Sequence, residues 1–198
     1  MLDKDWHNLL ERFTALGGIA ENVCQREGEF GRGIFSIDTS RRSKIMTPKN
    51  LLIKSENIGI HDGEIIVKDK NYFSPGEKAF IESNYNYAWG NNGNTDSVNF
   101  LKFISSISES LKSELLGFGF VNKNVLPSCK TDEHLLKRFI AERAVVFQGN
   151  RVLAPVWDFV NHSSFVPPLR ITPYGVETPP LASDSGEVLL KYSGKNSS

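Results

Sequence analysis

The 198-residue chain carries 39% hydrophobic and 11% aromatic residues, ordinary usage for one globular domain with a real core. Its 23 Lys and Arg balance 23 Asp and Glu, so no whole-molecule field points to nucleic acid or an acidic membrane, and any partner must be recognised at a local site. Cys24 and Cys129 stand far apart with no second Cys or His at ligand spacing, which indicates neither a zinc site nor a disulfide scaffold and fits a reducing compartment. No run of residues is apolar enough for a membrane span. The acid-bearing opening Met1-Leu2-Asp3-Lys4-Asp5-Trp6-His7 is not a secretory signal and fits poorly with an acid-poor transit peptide, so an intracellular protein of the cytoplasm or nucleus is expected.

Leu2, Trp6, Leu9, Leu10, Phe13 and Leu16 recur at three- and four-residue steps and predict an amphipathic helix that Gly17-Gly18 would end. From Ile19 to about Ile66 the texture changes to short apolar pieces broken by turn residues, which predicts small strands and hairpins, one turning at His61-Asp62-Gly63. Residues 83–97, rich in Asn and Gly with Tyr85, Tyr87 and Trp89, show neither helical nor strand periodicity and read as a long loop, either a lid or an insertion. Phe100, Ile104, Ile107, Leu111 and Leu115 define a helix stopped by Gly117. Thr131 can cap a second helix carrying Leu135, Phe139, Ile140, Ala144 and Phe147. In the last third, prolines at 155, 167, 168, 173, 179 and 180 confine any strands to short or edge positions.

Three segments stand out as carriers of chemistry. The run Arg151-Val152-Leu153-Ala154-Pro155-Val156-Trp157-Asp158-Phe159-Val160 ends in polar Asn161-His162-Ser163, so it either delivers hydrogen-bonding groups to a pocket or holds a satisfied core histidine. In Phe30-Gly31-Arg32-Gly33-Ile34-Phe35-Ser36 the glycines remove Cβ atoms that would keep a ligand from the main chain, or else mark a hairpin turn. This is no dinucleotide fingerprint, because the third glycine is missing and a strand continues where a helix should open. Ser185-Gly186-Glu187-Val188-Leu189-Leu190-Lys191-Tyr192 is a turn and a strand ending in a tyrosine, which either packs at an edge or presents its phenol to a pocket.

In their order and spacing these segments resemble the SET-domain methyltransferases, and within them the branch typified by the Rubisco large-subunit methyltransferase. The resemblance takes in the N-terminal helix with Gly17-Gly18, Gly31-Arg32-Gly33-Ile34-Phe35 and Thr47-Pro48-Lys49-Asn50-Leu51-Leu52-Ile53. It continues through a helical insert, Glu142-Arg143-Ala144-Val145-Val146-Phe147, the Leu-x-Pro-x-x-Asp-x-x-Asn-His-Ser block at 153–163, and Gly186-Glu187 leading to Tyr192. It implies an α+β SET-domain fold of short strands and small sheets over residues 1–198, with an insert region at about 60–147 holding two helices and a knot-like threading near the C-terminus.

The resemblance also implies S-adenosylmethionine as cofactor and a lysine side chain of another protein as acceptor, while composition and cysteine spacing indicate no metal, nucleic acid or membrane. The backbone around Phe30, Gly31 and Arg32 would meet the methionine part of the cofactor, and Arg143 its carboxylate. Asn161 would bind the amino-acid end, the main chain of His162 the adenine edge, and Tyr192 would lie beside the transferring methyl. Phe147, Phe159, Tyr174 and the aromatics at 85–89 could wall a lysine channel or be ordinary packing. Relatives usually continue beyond the Tyr192 position into an Asn-containing turn, a Tyr-Gly-Phe segment and a helical substrate-binding domain. Here Ser193-Gly194-Lys195-Asn196-Ser197-Ser198 follows, so a fragment or a minimal member is expected, and a SET-like binding module without catalysis is the alternative.

Overall fold

The computed structural model describes residues 4–29, 31–61, 64–68, 72–88, 106–117, 132–163, 165–179 and 186–191. Helix α1 (Lys4–Ala15) buries Trp6, Leu9 and Phe13 on the predicted stripe. Gly17, at φ +91°, ends it: its N–H reaches the Thr14 carbonyl at 3.0 Å and that of Gly18 the Phe13 carbonyl at 2.9 Å, a Schellman termination.

Strands β2 (Val23–Gly28) and β3 (Gly31–Ser36) form an antiparallel hairpin with Gly28 opposite Gly31. The turn therefore falls just before Gly31-Arg32-Gly33, which lies in the strand. A four-stranded antiparallel sheet joins the two ends of the chain: β1 (Ile19–Glu21), β4 (Lys44–Pro48), β12 (Gly175–Glu177) and β11 (Arg170–Thr172), in that spatial order. β11 is an edge strand between Pro168 and Pro173, as the prolines require. A second sheet runs β5 (Ile53–Lys54), β9 (Asn150–Leu153), β8 (Val145–Phe147), and β6 (Ile58–His61) pairs with β7 (Glu64–Val67) in the expected hairpin.

Helix α2 (Pro75–Ala88) starts with a capping box: Ser74 Oγ accepts from Glu77 N at 3.3 Å, and Glu77 Oε2 accepts from Ser74 N at 2.8 Å. It runs through residues 83–88, where the sequence predicts a loop. The weak helix formers in this stretch are offset by tertiary bonds that no periodicity reveals. Asn86 both donates to the Ile65 carbonyl (3.0 Å) and accepts from Ile65 N (2.7 Å), while Glu82 accepts from Val67 N (2.9 Å), so α2 side chains satisfy the outer edge of β7.

The insert at about 60–147, expected to hold two helices, holds α2 as well as α3 (Glu109–Gly117) and α4 (Asp132–Arg143) among the described residues. α3 starts later than its predicted stripe: Ile107 and Ser108 are not helical, and Ser108 Oγ instead accepts from Leu111 N at 3.3 Å as a cap. Residues 100–105 and Thr131, assigned to α3 and α4 from sequence, lie outside the described residues. α4 stops before Phe147, because Val145 and Val146 are β-branched and pair with Val152 and Arg151 of β9. Core residues come from both halves of the described chain, among them Trp6, Phe13, Ile34, Ile45, Phe80, Leu153, Val176 and Leu190. Among the described residues no helix is long and apolar enough to cross a membrane.

Candidate functional site

The three segments singled out in the sequence meet. Residues 186–188 lie against β3: Ser36 N donates to the Gly186 carbonyl at 2.6 Å and Val188 N to the Ile34 carbonyl at 2.8 Å. The same segment continues as β13 (Leu189–Leu190), which pairs in parallel with β10 (Asn161–His162), and Ser163 N donates to the Leu190 carbonyl at 2.8 Å. Chain from three distant stretches is thus hydrogen-bonded side by side. The segments that would complete the knot-like threading, 180–185 and 192–198, lie outside the described residues, as do Phe30 and Tyr192.

Asn161 Nδ2 donates to Glu187 Oε1 at 2.8 Å, and this carboxylate is 6% exposed. A Cβ at Gly33 would lie 2.6 Å from that Nδ2 and 2.8 Å from that Oε1, so the glycine is needed there for Asn161 and Glu187 to meet over β3. This differs from the ligand approach read from the sequence, which suits Gly31: at φ +86°, it has nothing within 4 Å of a Cβ position. The main chain there is open on that side. Arg32 turns its side chain toward α2, where Nη1 donates to Tyr87 Oη at 3.3 Å and Tyr87 in turn donates to Gln25 Oε1 at 2.8 Å.

Arg143 ends α4 with its guanidinium 4.5 Å over the Phe139 ring and its Nε 4.0 Å from Asp158 Oδ1. Asp158 lies three residues before Asn161, its side chain only 2% exposed, and Oδ2 accepts from Asn84 Nδ2 at 3.3 Å. Burial pushes this carboxyl up to about 7, against the Arg143 charge and the Asn84 hydrogen bond, which pull it down. The other end of the Asn84 amide accepts from Val156 N at 2.9 Å. Val156 has φ +74°, an outlier for a buried β-branched residue, and sits at the turn that leads through the 3-10 helix Trp157–Phe159 to Asn161. Thr47 Oγ1 fixes the same turn by donating to the Pro155 carbonyl at 2.8 Å.

The buried carboxyl gives a measurable signature. Its folded value lies above the ordinary 3.8, so between about pH 4 and 7 the folded state holds a proton that the unfolded chain releases, and stability falls as pH rises through that window. Asp158→Asn should flatten this component. Over three units it amounts to about 4 kcal/mol at most, read as the difference between the wild-type and variant denaturation midpoints at the two ends of the window.

The aromatic residues named as channel walls lie in different surroundings. Phe147 is buried, Phe159 lies between Trp6 (ring centroids 5.3 Å apart) and Tyr87 (5.4 Å), and Tyr85 packs edge-on to Phe139 at 5.8 Å. Tyr174 is 75% exposed, and Trp89 lies outside the described residues. The His162 side chain is exposed while its backbone pairs opposite Leu190. Sequence reasoning gave Asp158 and Glu187 no role of their own, although an acid inside the apolar run 152–160 is itself a signal of a buried partner. Asn84 gave no signal at all. A cleft of about 600 Å³, bordered by Lys49, Lys54, Tyr72 and Phe147, opens elsewhere and contains none of Gly31, Arg143, Asn161 or His162.

No protein-family model matches the chain. No curated protein matches it either. Among solved structures it is similar to one of Rubisco LSMT bound to AdoMet, with TM-score 0.50, 15% sequence identity, and coverage of 98% of this chain and 54% of that one. The SET domain of LSMT bound to lysine and AdoHcy aligns at TM-score 0.48 and 17% identity over 96% of this chain and 54% of that one. The chain thus spans about half the length of the solved structures it matches. Its mixture of helices and small antiparallel sheets is the SET-domain fold.

Proposed function

We propose that this chain binds S-adenosylmethionine and methylates a lysine side chain of another protein, as a relative of the Rubisco large-subunit methyltransferase branch acting inside the cell. We take residues 1–198 as one SET domain with an insert at about 60–147. The observation that carries the reading is the meeting of β3, β10 and the 186–191 segment, with Arg143 and Asp158 linked to the same turn. The donor set suits the cofactor: a guanidinium for its carboxylate, an amide for its amino-acid end, and a strand opening at Gly31 that no Cβ obstructs.

When bound, S-adenosylmethionine would supply a methyl already activated on a sulfonium sulfur. The chain's own work is then to bind, align and exclude water. The main chain of Phe30, Gly31 and Arg32 would hold the methionine part, Arg143 the carboxylate, Asn161 the amino-acid end and the His162 main chain the adenine. Tyr192 would aim the methyl at the acceptor. The acceptor lysine would have to reach the site with its nitrogen neutral, and the chain's part would be to orient that nitrogen toward the methyl and leave a path for its proton to solvent.

Calorimetry with S-adenosylmethionine and its demethylated product should give saturable binding to the wild type. Asn161→Ala should weaken that binding about tenfold or more, since the buried Glu187 and the ligand would each lose a partner. Folded wild-type protein that gives no saturable heat would sink the proposal. Radiolabel carried from the cofactor into a lysate protein would separate an enzyme from a binding module.

A further inference from the structure

We infer that Asn84 is a positioning residue for the cofactor site, acting on Arg143 through Asp158 and on the Asn161-His162 strand through Val156; this rests on the function proposed above. Asn84 is fully buried in the middle of α2, 72 residues from Val156 and 74 from Asp158 in sequence. Its amide bridges two groups that otherwise demand separate partners: the Val156 N–H, at 2.9 Å, and the Asp158 carboxylate, at 3.3 Å.

Each end has its own consequence. The acceptor end holds a peptide N–H at a turn whose Val156 φ of +74° a β-branched residue resists, and that turn sets where the chain emerges at Asn161. The donor end fixes Asp158 Oδ2 while Oδ1 faces the Arg143 Nε at 4.0 Å, so the orientation of the carboxylate and the place of the guanidinium are set together. Arg143, from α4, is the charged group set against Asp158 among the described residues, with the Phe139 ring beneath it. Leu, Asp and Gln are close in size to Asn, yet none has the same pair of groups at the same reach. A residue that served only to fill the core would need neither.

The test compares wild type, Asn84→Leu and Asn84→Asp by calorimetric titration with S-adenosylhomocysteine from mildly acidic to mildly alkaline pH, with thermal melts at each pH. Asn84→Leu removes both bonds and should bind about tenfold to a hundredfold more weakly. Asn84→Asp keeps the acceptor for Val156 N–H but sets a second carboxyl against Asp158. Two facing carboxyls share a proton at the acidic end and repel when both ionise. Its affinity should therefore approach wild type at low pH and fall about tenfold as pH rises, while the variant remains folded. Should Asn84→Leu fail to fold, the pH profile of Asn84→Asp decides. Two folded variants with wild-type affinity and profile would overturn the role of Asn84 and leave the proposed function standing. Affinity losses that merely track melting would also overturn it. A wild type with no saturable binding would overturn both.

Discussion

Gly175→Ala is expected to cost about 3 kcal/mol or more of folding stability. Gly175 begins β12 opposite Pro48 of β4, and its φ of +157° is one that residues with side chains rarely adopt. An alanine Cβ there would fall against the Thr47 carbonyl oxygen and lie 2.9 Å from the Pro48 Cα. These are backbone atoms at one end of the central strand pair of the four-stranded sheet, so no rotamer change can relieve the clash. Relief requires β4 and β12 to part, which would break the register that joins residue 47 to residue 176. A chemical-denaturation midpoint measures the loss. Gly76→Ala is the matched comparison: nothing lies within 4 Å of its Cβ position in the first turn of α2, so that variant should equal or slightly exceed wild type. Equal stability of Gly175→Ala and wild type would mean that the two strands do not approach as described.

Under the proposed function, the largest effect on activity is expected at Tyr192, which lies outside the described residues, directly after Lys191. Leu189 and Leu190 pair with Asn161 and His162, and Lys191 is bridged in parallel to Pro168, so the chain is held in place up to that point. If the phenol helps align the methyl, Tyr192→Phe keeps the ring and removes one oxygen. Turnover should fall about a hundredfold, the scale of removing one preorganised hydrogen-bonding group from around a transition state, while cofactor affinity changes little. Single-turnover kinetics with labelled cofactor, alongside calorimetry, separates the two. Turnover in the variant equal to wild type would remove the catalytic assignment, and a fall confined to affinity would make Tyr192 a binding residue.

What the sequence made legible follows from how local each signal is. The α1 stripe and its stop at Gly17 depend on neighbours within a few residues, and both stand in the structure. The proline-bounded β11 and the β6–β7 hairpin are equally local. Residues 83–88 were illegible because Asn84 and Asn86 are helical for the sake of Val156, Asp158 and Ile65, far away in the chain. Gly33 was half legible: the need for a missing Cβ could be read, but the occupants of the space, Asn161 and Glu187, come from more than a hundred residues away. Arg143 was placed through family resemblance. Its buried partner Asp158, and the proton that burial favours there, needed the packed interior.

The segment 186–191 bridges β3 to β10, and this has a kinetic consequence. A ribosome that has delivered only the first 160 residues has released most of the core but none of this strand, so β3 must wait with one edge unsatisfied. Closure over so long a stretch of chain costs entropy before any pairing rewards it, so this step is expected late in folding. Interactions that form after the rate-limiting barrier chiefly govern how fast the native state comes apart. A molecule seated on these strands would therefore act as a latch, prolonging the life of the folded chain while leaving the speed of its formation almost untouched.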